Sequence, residues 1–321
     1  MKKSDISRRE FIELTVASSV VVPSLISANA GPSRETLPQR ALGRTGVKVP
    51  ILAFGCGTRF LMYEDEAEAL SVLNHVIDSG ITYLDTAASY GKGLSETRVG
   101  MVMKDRRKDV FLATKMSSSR TRDGVLKEFE QSLKRLQTDH VDLLHLHSLG
   151  DDADLAKIEA ADGGIKALYE LRDQKAARFI GMTSHTDGRV MAKAIEHNDL
   201  DSVQMAMNPS MANDFEKAAL PAALKKKIGV TLMKATAQEK ILGAGPGKAD
   251  AVSLVRYALS LPVAAAVIGM PKRQFIEENL RVARNFNRMS PQEMDTLRTQ
   301  VAPSKAALEH FFARHKDAAW V

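Results

Sequence analysis

From about residue 50 onward, short apolar runs alternate with longer stretches in which apolar residues recur every three or four positions. The short runs predict strands over 51–56, 81–85, 109–115, 141–147, 179–183, 202–206, 229–234 and 264–268. The longer stretches predict helices over 65–79, 94–104, 122–136, 161–174, 187–197, 214–227 and 250–260, with 272–286 after the last strand. Strands that alternate with helices make a parallel sheet, because a parallel neighbour is reached only by a long return. Eight such units fit a closed (β/α)8 barrel. The competing arrangement is an open doubly wound sheet, but no G-x-G-x-x-G turn follows the first strand. Ahead of the barrel, Gly43 and Gly46 separate two short extended pieces within 38–50 and predict a small hairpin. Residues 291–321 add a helix and a C-terminal tail carrying Phe311, Phe312 and Trp320.

Residues 1–30 break the pattern and read as an export signal rather than as part of the fold. Lys2 and Lys3 come first, then Ser7-Arg8-Arg9-Glu10-Phe11-Ile12, which resembles the twin-arginine consensus. An apolar run from Leu14 to Ile26 follows, too short and too hydroxyl-rich for a membrane span of about twenty residues. Ala28-Asn29-Ala30 ends it with small residues where a signal peptidase reads them. The expectation is handling by the twin-arginine export machinery, cleavage near Ala30, no stable membrane association afterwards and a periplasmic or otherwise exported mature chain, residues 31–321.

Composition narrows the function classes. Of 321 residues, 44% are hydrophobic and 26% charged, as in ordinary globular proteins. The single cysteine, Cys56, excludes an internal disulfide and any cysteine-built metal centre. The net charge of +6 is scattered, with no basic arm interleaved with aromatics, so no nucleic acid is expected as a partner. A small anionic molecule suits that balance.

The chemistry gathers at the strand ends. Side chains alternate between faces along a strand, so Asp85 shares a face with Tyr83, Lys115 with Ala113, and His147 with His145 and Leu143. An acid, a lysine and a histidine therefore close the second, third and fourth strands, at the end where barrel active sites lie. Tyr90 follows Asp85 by five residues, on the loop. A tyrosine with its reference pKa of about 10 holds a proton at neutral pH. An ammonium beside it stabilises the phenolate and makes it a better acid. Lys115 can supply that charge, Asp85 can aim Lys115, and His147 can orient a substrate oxygen. Such a set answers charge that develops on oxygen when a hydride reaches the carbon of a carbonyl group. His145 lies two residues deeper and is the weaker candidate.

These residues resemble the aldo-keto reductase family. The resemblance is carried by Leu84-Asp85-Thr86-Ala87-Ala88-Ser89-Tyr90-Gly91 with Ser95-Glu96 and Gly100, by Ala113-Thr114-Lys115, and by Asp142-Leu143-Leu144-His145-Leu146-His147, and it extends over about 38–290. It implies a nicotinamide-dependent carbonyl reductase acting on a small carbonyl substrate, with Tyr90 as the acid and Asp85, Lys115 and His147 as its partners. It also implies dinucleotide contacts. Gly57 and Thr58 would touch the nicotinamide riboside, and Thr183, Ser184 and Gln204 the carboxamide. Lys234 stands where the family often stacks an aromatic ring. Lys272, Arg273, Glu278 and Asn279 would hold the adenosine end, with the two cations favouring NADP(H) over NAD(H). No metal is implied. The glycine-rich 243–248 fails the P-loop spacing, with Ala249 where Ser or Thr is required, and reads as a loop over the cofactor. A reading of another class is an exported nucleotide-binding module with little turnover; a lyase would need a metal or base cluster that the sequence does not show.

Overall fold

The computed structural model describes residues 36–313; the export segment and Trp320 lie outside the described residues. The described residues open with an antiparallel hairpin, β1 (Gln39–Ala41) and β2 (Lys48–Pro50). The barrel strands follow: β3 (Leu52–Gly55), β4 (Tyr83–Asp85), β5 (Phe111–Met116), β6 (Val141–Leu146), β7 (Ala177–Ser184), β8 (Ser202–Ala206), β9 (Gly229–Met233) and β10 (Ala265–Ile268). They are parallel, and β10 pairs with both β9 and β3, so the barrel closes. All eight expected strands are present, and the fold is the (β/α)8 barrel with its hairpin.

The helices on the outside are α1 (Glu66–Asp78), α2 (Leu94–Arg106), α3 (Arg122–Leu136), α4 (Asp152–Glu159), α5 (Gly164–Asp173), α6 (Gly188–His197), α7 (Leu220–Lys225), α8 (Ala251–Ser260) and α9 (Arg273–Arg284). Two points differ from the sequence pattern. Helix α4 was not expected: it buries only Leu155 and Ile158, too short a stripe to show a helical period. The stretch 214–227 is not one helix, because a π-helical turn, Phe215–Ala219, precedes α7. Pro221 explains the change of register, since it has no N–H to give to the carbonyl four residues back. At the C-terminal end, α10 (Pro291–Val301) and α11 (Lys305–Ala313) are separated by a 3-10 turn, Ala302–Ser304.

Two apolar cores result. One lies between barrel and helices; the other fills the barrel axis with Ala53, Tyr83, Ala113, Leu143, Ala265 and Val267. The hairpin closes the base, where Leu42 and Val49 join the axial core. Arg44 N–H donates to Lys227 O at 2.7 Å, just before β9 begins. Gly229 lacks a side chain for good reason, because a Cβ there would stand 2.7 Å from Leu42 Cδ1. With the base stoppered, the polar side chains at the C-terminal strand ends face the open mouth.

Candidate active site

Asp85 is the last residue of β4 and Lys115 the penultimate residue of β5, and both point into the barrel. The Lys115 side chain is fully buried and Asp85 nearly so. A buried ammonium is tolerable only when paired and hydrogen-bonded. Lys115 Nζ donates to Asp85 Oδ2 at 2.6 Å, to Thr86 O at 2.8 Å and to Tyr90 Oη at 3.4 Å, which uses all three of its N–H bonds.

The chain after β4 carries Tyr90 to that ammonium by continuing along β5. Thr86 N–H donates to Ala113 O at 2.9 Å and Ala88 N–H to Lys115 O at 3.1 Å. Gly91 (φ 59°) and Gly93 (φ 95°) then turn the backbone into α2 through a conformation that costs a side-chain-bearing residue more. Beneath the tyrosine lies Gly57, where a Cβ would stand 3.3 Å from the phenol ring. His147 is buried and meets the Tyr90 ring edge-on, with centroids 5.7 Å apart and planes at 79°. Gln204, on β8, donates from Nε2 to Asp85 Oδ2 at 3.2 Å, while its buried Oε1 finds no partner among the described residues.

The rest of the recognisable segment is scaffold. Ser95 Oγ donates to Cys56 O at 2.6 Å, and buried Glu96 accepts from Thr114 Oγ1 at 2.5 Å and Arg135 Nε at 2.8 Å. A Cβ on Gly100 would lie 2.0 Å from Arg135 O, so α2 and α3 touch there. His145 is also buried, with neither ring nitrogen partnered among the described residues. Burial, and secondarily the Lys115 charge, push its pKa well below that of free histidine, so it is neutral and sits under the site as packing.

A cavity of about 450 Å³ opens above these groups. Its wall contains Gly57, Thr58, Asp85, Tyr90, Gln204 and Lys234, and also Arg59, Glu239, Lys240 and Phe311. Of the last four, Phe311 was noted from sequence only as an aromatic residue of the C-terminal tail, and the other three were not singled out. Arg59 adjoins Gly57-Thr58 and so was within reach of the same argument, but nothing local marks Glu239 or Lys240, and nothing places Phe311 at the cavity. Arg59 pairs with Glu239 at 2.9 Å and joins the loop after β3 to the loop after β9. A second cavity of about 560 Å³, at the barrel base beside Arg40 and Lys227, has no acid, histidine or tyrosine on its wall.

The model of the Aldo/keto reductase family matches residues 52–251. The chain belongs to the aldo/keto reductase family. It is 26% identical to the uncharacterized oxidoreductase YqkF of Bacillus subtilis, over 81% of this chain and 95% of that one. It is 30% identical to the aldo-keto reductase yakc [NADP(+)] of Schizosaccharomyces pombe, over 54% of this chain and 53% of that protein. Among solved structures, the thermostable aldo-keto reductase Tm1743, in complex with the inhibitor epalrestat, superposes with a TM-score of 0.70 at 25% identity, covering 82% of this chain and all of that one. The protein is accordingly an NAD(P)H-dependent oxidoreductase.

The dinucleotide positions implied by the family separate into two groups in this aldo-keto reductase. Gly57, Thr58, Gln204 and Lys234 share the cavity with Asp85 and Tyr90. Thr183 and Ser184, at the end of β7, are buried and hold the chain after β6: Thr183 Oγ1 accepts from Ser148 N–H at 2.8 Å, and Ser184 Oγ donates to Leu149 O at 2.7 Å. Lys272 and Arg273 are exposed at the start of α9 and Glu278 is exposed midway along it, all outside that wall. Arg273 donates to Ser71 Oγ at 2.8 Å and Asn279 to Phe275 O at 2.7 Å. The loop 243–248 is not on the cavity wall either. It docks on the C-terminal helices, with Gly247 N–H donating to Gln300 O at 3.1 Å and Ser304 Oγ to Gly247 O at 2.8 Å.

Proposed function

We propose that this aldo-keto reductase reduces an aldehyde or ketone to the alcohol with NADP(H), Tyr90 giving the proton. The observation that carries the reading is a phenol oxygen on the cavity wall within 3.4 Å of a fully buried ammonium, itself locked to Asp85. When bound, the dinucleotide supplies the hydride. As hydride reaches the carbonyl carbon, negative charge grows on its oxygen, and Tyr90 Oη transfers its proton there. The Lys115 ammonium stabilises the tyrosinate left behind, and Asp85 keeps Lys115 in place. His147, edge-on to Tyr90, bounds the position of the substrate oxygen.

The residues fit a nicotinamide. Gln204 Oε1 is a buried acceptor with no protein donor among the described residues, which suits the N–H groups of a carboxamide. Thr183 and Ser184 are proposed as the lesser partners, since both hydroxyls already serve the chain at 148–149. Lys272 and Arg273, exposed where α9 begins, suit the additional phosphate that separates NADP(H) from NAD(H). The NADP(+) in the name of the fission-yeast relative agrees with this preference.

Replacing Tyr90 with Phe removes the proton and keeps the ring. The expected result is a fall in kcat of about 10²–10⁴-fold with a reactive aldehyde, at unchanged NADPH affinity. Turnover at the parental rate would overturn the assignment. Titrating NADH beside NADPH ranks the two cofactors.

A further inference from the structure

The second cavity, of about 560 Å³, lies at the barrel base. Val230 and Ala264 on its wall stand near the starts of β9 and β10, whose other ends reach the active-site cavity. The wall carries four cations, Arg40, Arg44, Lys227 and Arg288, and no acid. Asp199 offsets Arg44, at 2.5 Å. No carboxylate among the described residues pairs with Arg40, Lys227 or Arg288.

The chain holds these charges in place. Arg40, on β1, donates to Val263 O at 2.9 Å and to Leu259 O at 2.7 Å, and its guanidinium lies 5.2 Å from the Phe286 ring centroid. Arg288 donates from Nε to Ser260 O at 3.1 Å. Both guanidiniums are thus anchored on one stretch, 259–263. Burial, and after it the charge of Arg288, lower the pKa of Arg40, as two like charges kept close require. The carbonyls at the end of α8 carry only partial charge, so they do not neutralise the pair. They also occupy few of the donors: of five guanidinium N–H bonds, Arg40 gives two to the chain and Arg288 one. Lys227 leaves from a fixed backbone, with φ 57° and its carbonyl accepting from Arg44 N–H at 2.7 Å.

The remainder of the wall is largely apolar and includes Leu224, Leu261 and Pro262. A volume of about 560 Å³ falls within the range of small-molecule sites, about 300–1,000 Å³, and exceeds what a bare inorganic anion fills.

We propose that the basal cavity binds a small organic phosphate, its dianion among Arg40, Lys227 and Arg288 and its apolar body against Leu224, Leu261 and Pro262. Guanidinium forks match phosphate oxygens in pairs, and a dianion offsets more of three positive charges than a single carboxylate does. The site is separate from the one proposed for the dinucleotide. Its occupant stabilises the fold and takes no part in the reaction.

The test is calorimetric titration of the full chain with phenyl phosphate, at an ionic strength fixed with NaCl. The parent is expected to bind it about tenfold more tightly than inorganic phosphate, which lacks the apolar body, and equally well with NADPH present. Lys227→Gln and Arg288→Gln should each weaken phenyl phosphate about tenfold while leaving aldehyde turnover unchanged. Arg288→Lys keeps the charge and should lose less. A parent that gives no binding heat and no rise in Tm with phenyl phosphate would overturn the proposal. So would binding that survives both Gln variants, or binding that NADPH abolishes. Loss in Arg273→Gln alone would place the anion at the start of α9 and overturn it as well. Phosphatidylcholine vesicles with and without phosphatidic acid separate two sources of the same phosphate chemistry. Cosedimentation that needs phosphatidic acid and is lost in Arg288→Gln would put the phosphate on a lipid; binding of phenyl phosphate alone would put it on a soluble ester.

Discussion

Two ion pairs adjoin the same cavity at nearly the same separation, Lys115–Asp85 at 2.6 Å, of which Asp85 reaches the wall, and Arg59–Glu239 at 2.9 Å. Their surroundings differ. The first pair has side-chain exposures of 0% and 3%, the second 31% and 52%. Burial removes the water that would otherwise weaken the attraction and solvate either partner left alone. Lys115–Asp85 is therefore expected to be rigid and costly to break, as suits the role proposed for it beside Tyr90. Arg59–Glu239 joins two loops at the surface, where water and salt compete for both charges. It can open at little cost, as suits the rim of a cavity proposed to admit a nucleotide. A bond length alone does not distinguish a fixed strut from a latch.

The largest effect should come from breaking the buried pair on one side. Lys115→Met leaves Asp85 charged and unpaired in the barrel, with an expected loss of about 3–5 kcal/mol in urea unfolding and a fall in kcat for the aldehyde. Adding Asp85→Leu should restore much of the stability and none of the activity. A single variant as stable as the parent would break the comparison.

A smaller effect concerns the neighbour beneath. An interior built around one buried cation resists a second, and His145 is the group placed to show it. Its pKa is depressed in the folded chain, by burial first and Lys115 second. As pH falls through about 6.5, the unfolded chain takes up a proton that the folded chain refuses, so stability declines, by at most about 1.4 kcal/mol per pH unit. His145→Leu should flatten that decline between pH 7 and 5, as read from urea midpoints. An identical slope in parent and variant would show that His145 is not the group responsible.

The smallest effect is expected at the rim. Glu239→Gln should cost about 1 kcal/mol or less, and the difference from the parent should shrink further in high salt. A loss as large as that of Lys115→Met would mean that the exposed pair is structural after all.

The barrel was legible because its signal is repetitive. Eight apolar runs at regular spacing have few other solutions, and each run came out within a few residues of a strand. The closeness of Asp85, Tyr90, Lys115 and His147 was legible for a related reason: strand alternation and a short loop fix where the ends of neighbouring strands point. Contacts made by residues distant in sequence were not legible. Phe311 reaches the cavity wall from α11, and Arg59 meets Glu239 across 180 positions, with no pattern in either segment to announce it. The hydroxyls of Thr183 and Ser184 show the same limit. Residue type marked them as hydrogen-bonding groups, but only the fold shows that the chain at 148–149 already uses them. Helix α4 escaped notice because two buried side chains are too few to set a period.

The hairpin at the barrel base has a practical consequence for anyone handling the protein. A tube stoppered at one end has a single doorway, and here the polypeptide enters the fold at Leu37–Gln39, on the stoppered side. A tag, a fluorescent fusion or a surface tether attached there stands away from the rim through which reactants come and go. A chip or bead that grips this enzyme at the hairpin thus presents the doorway to the solution.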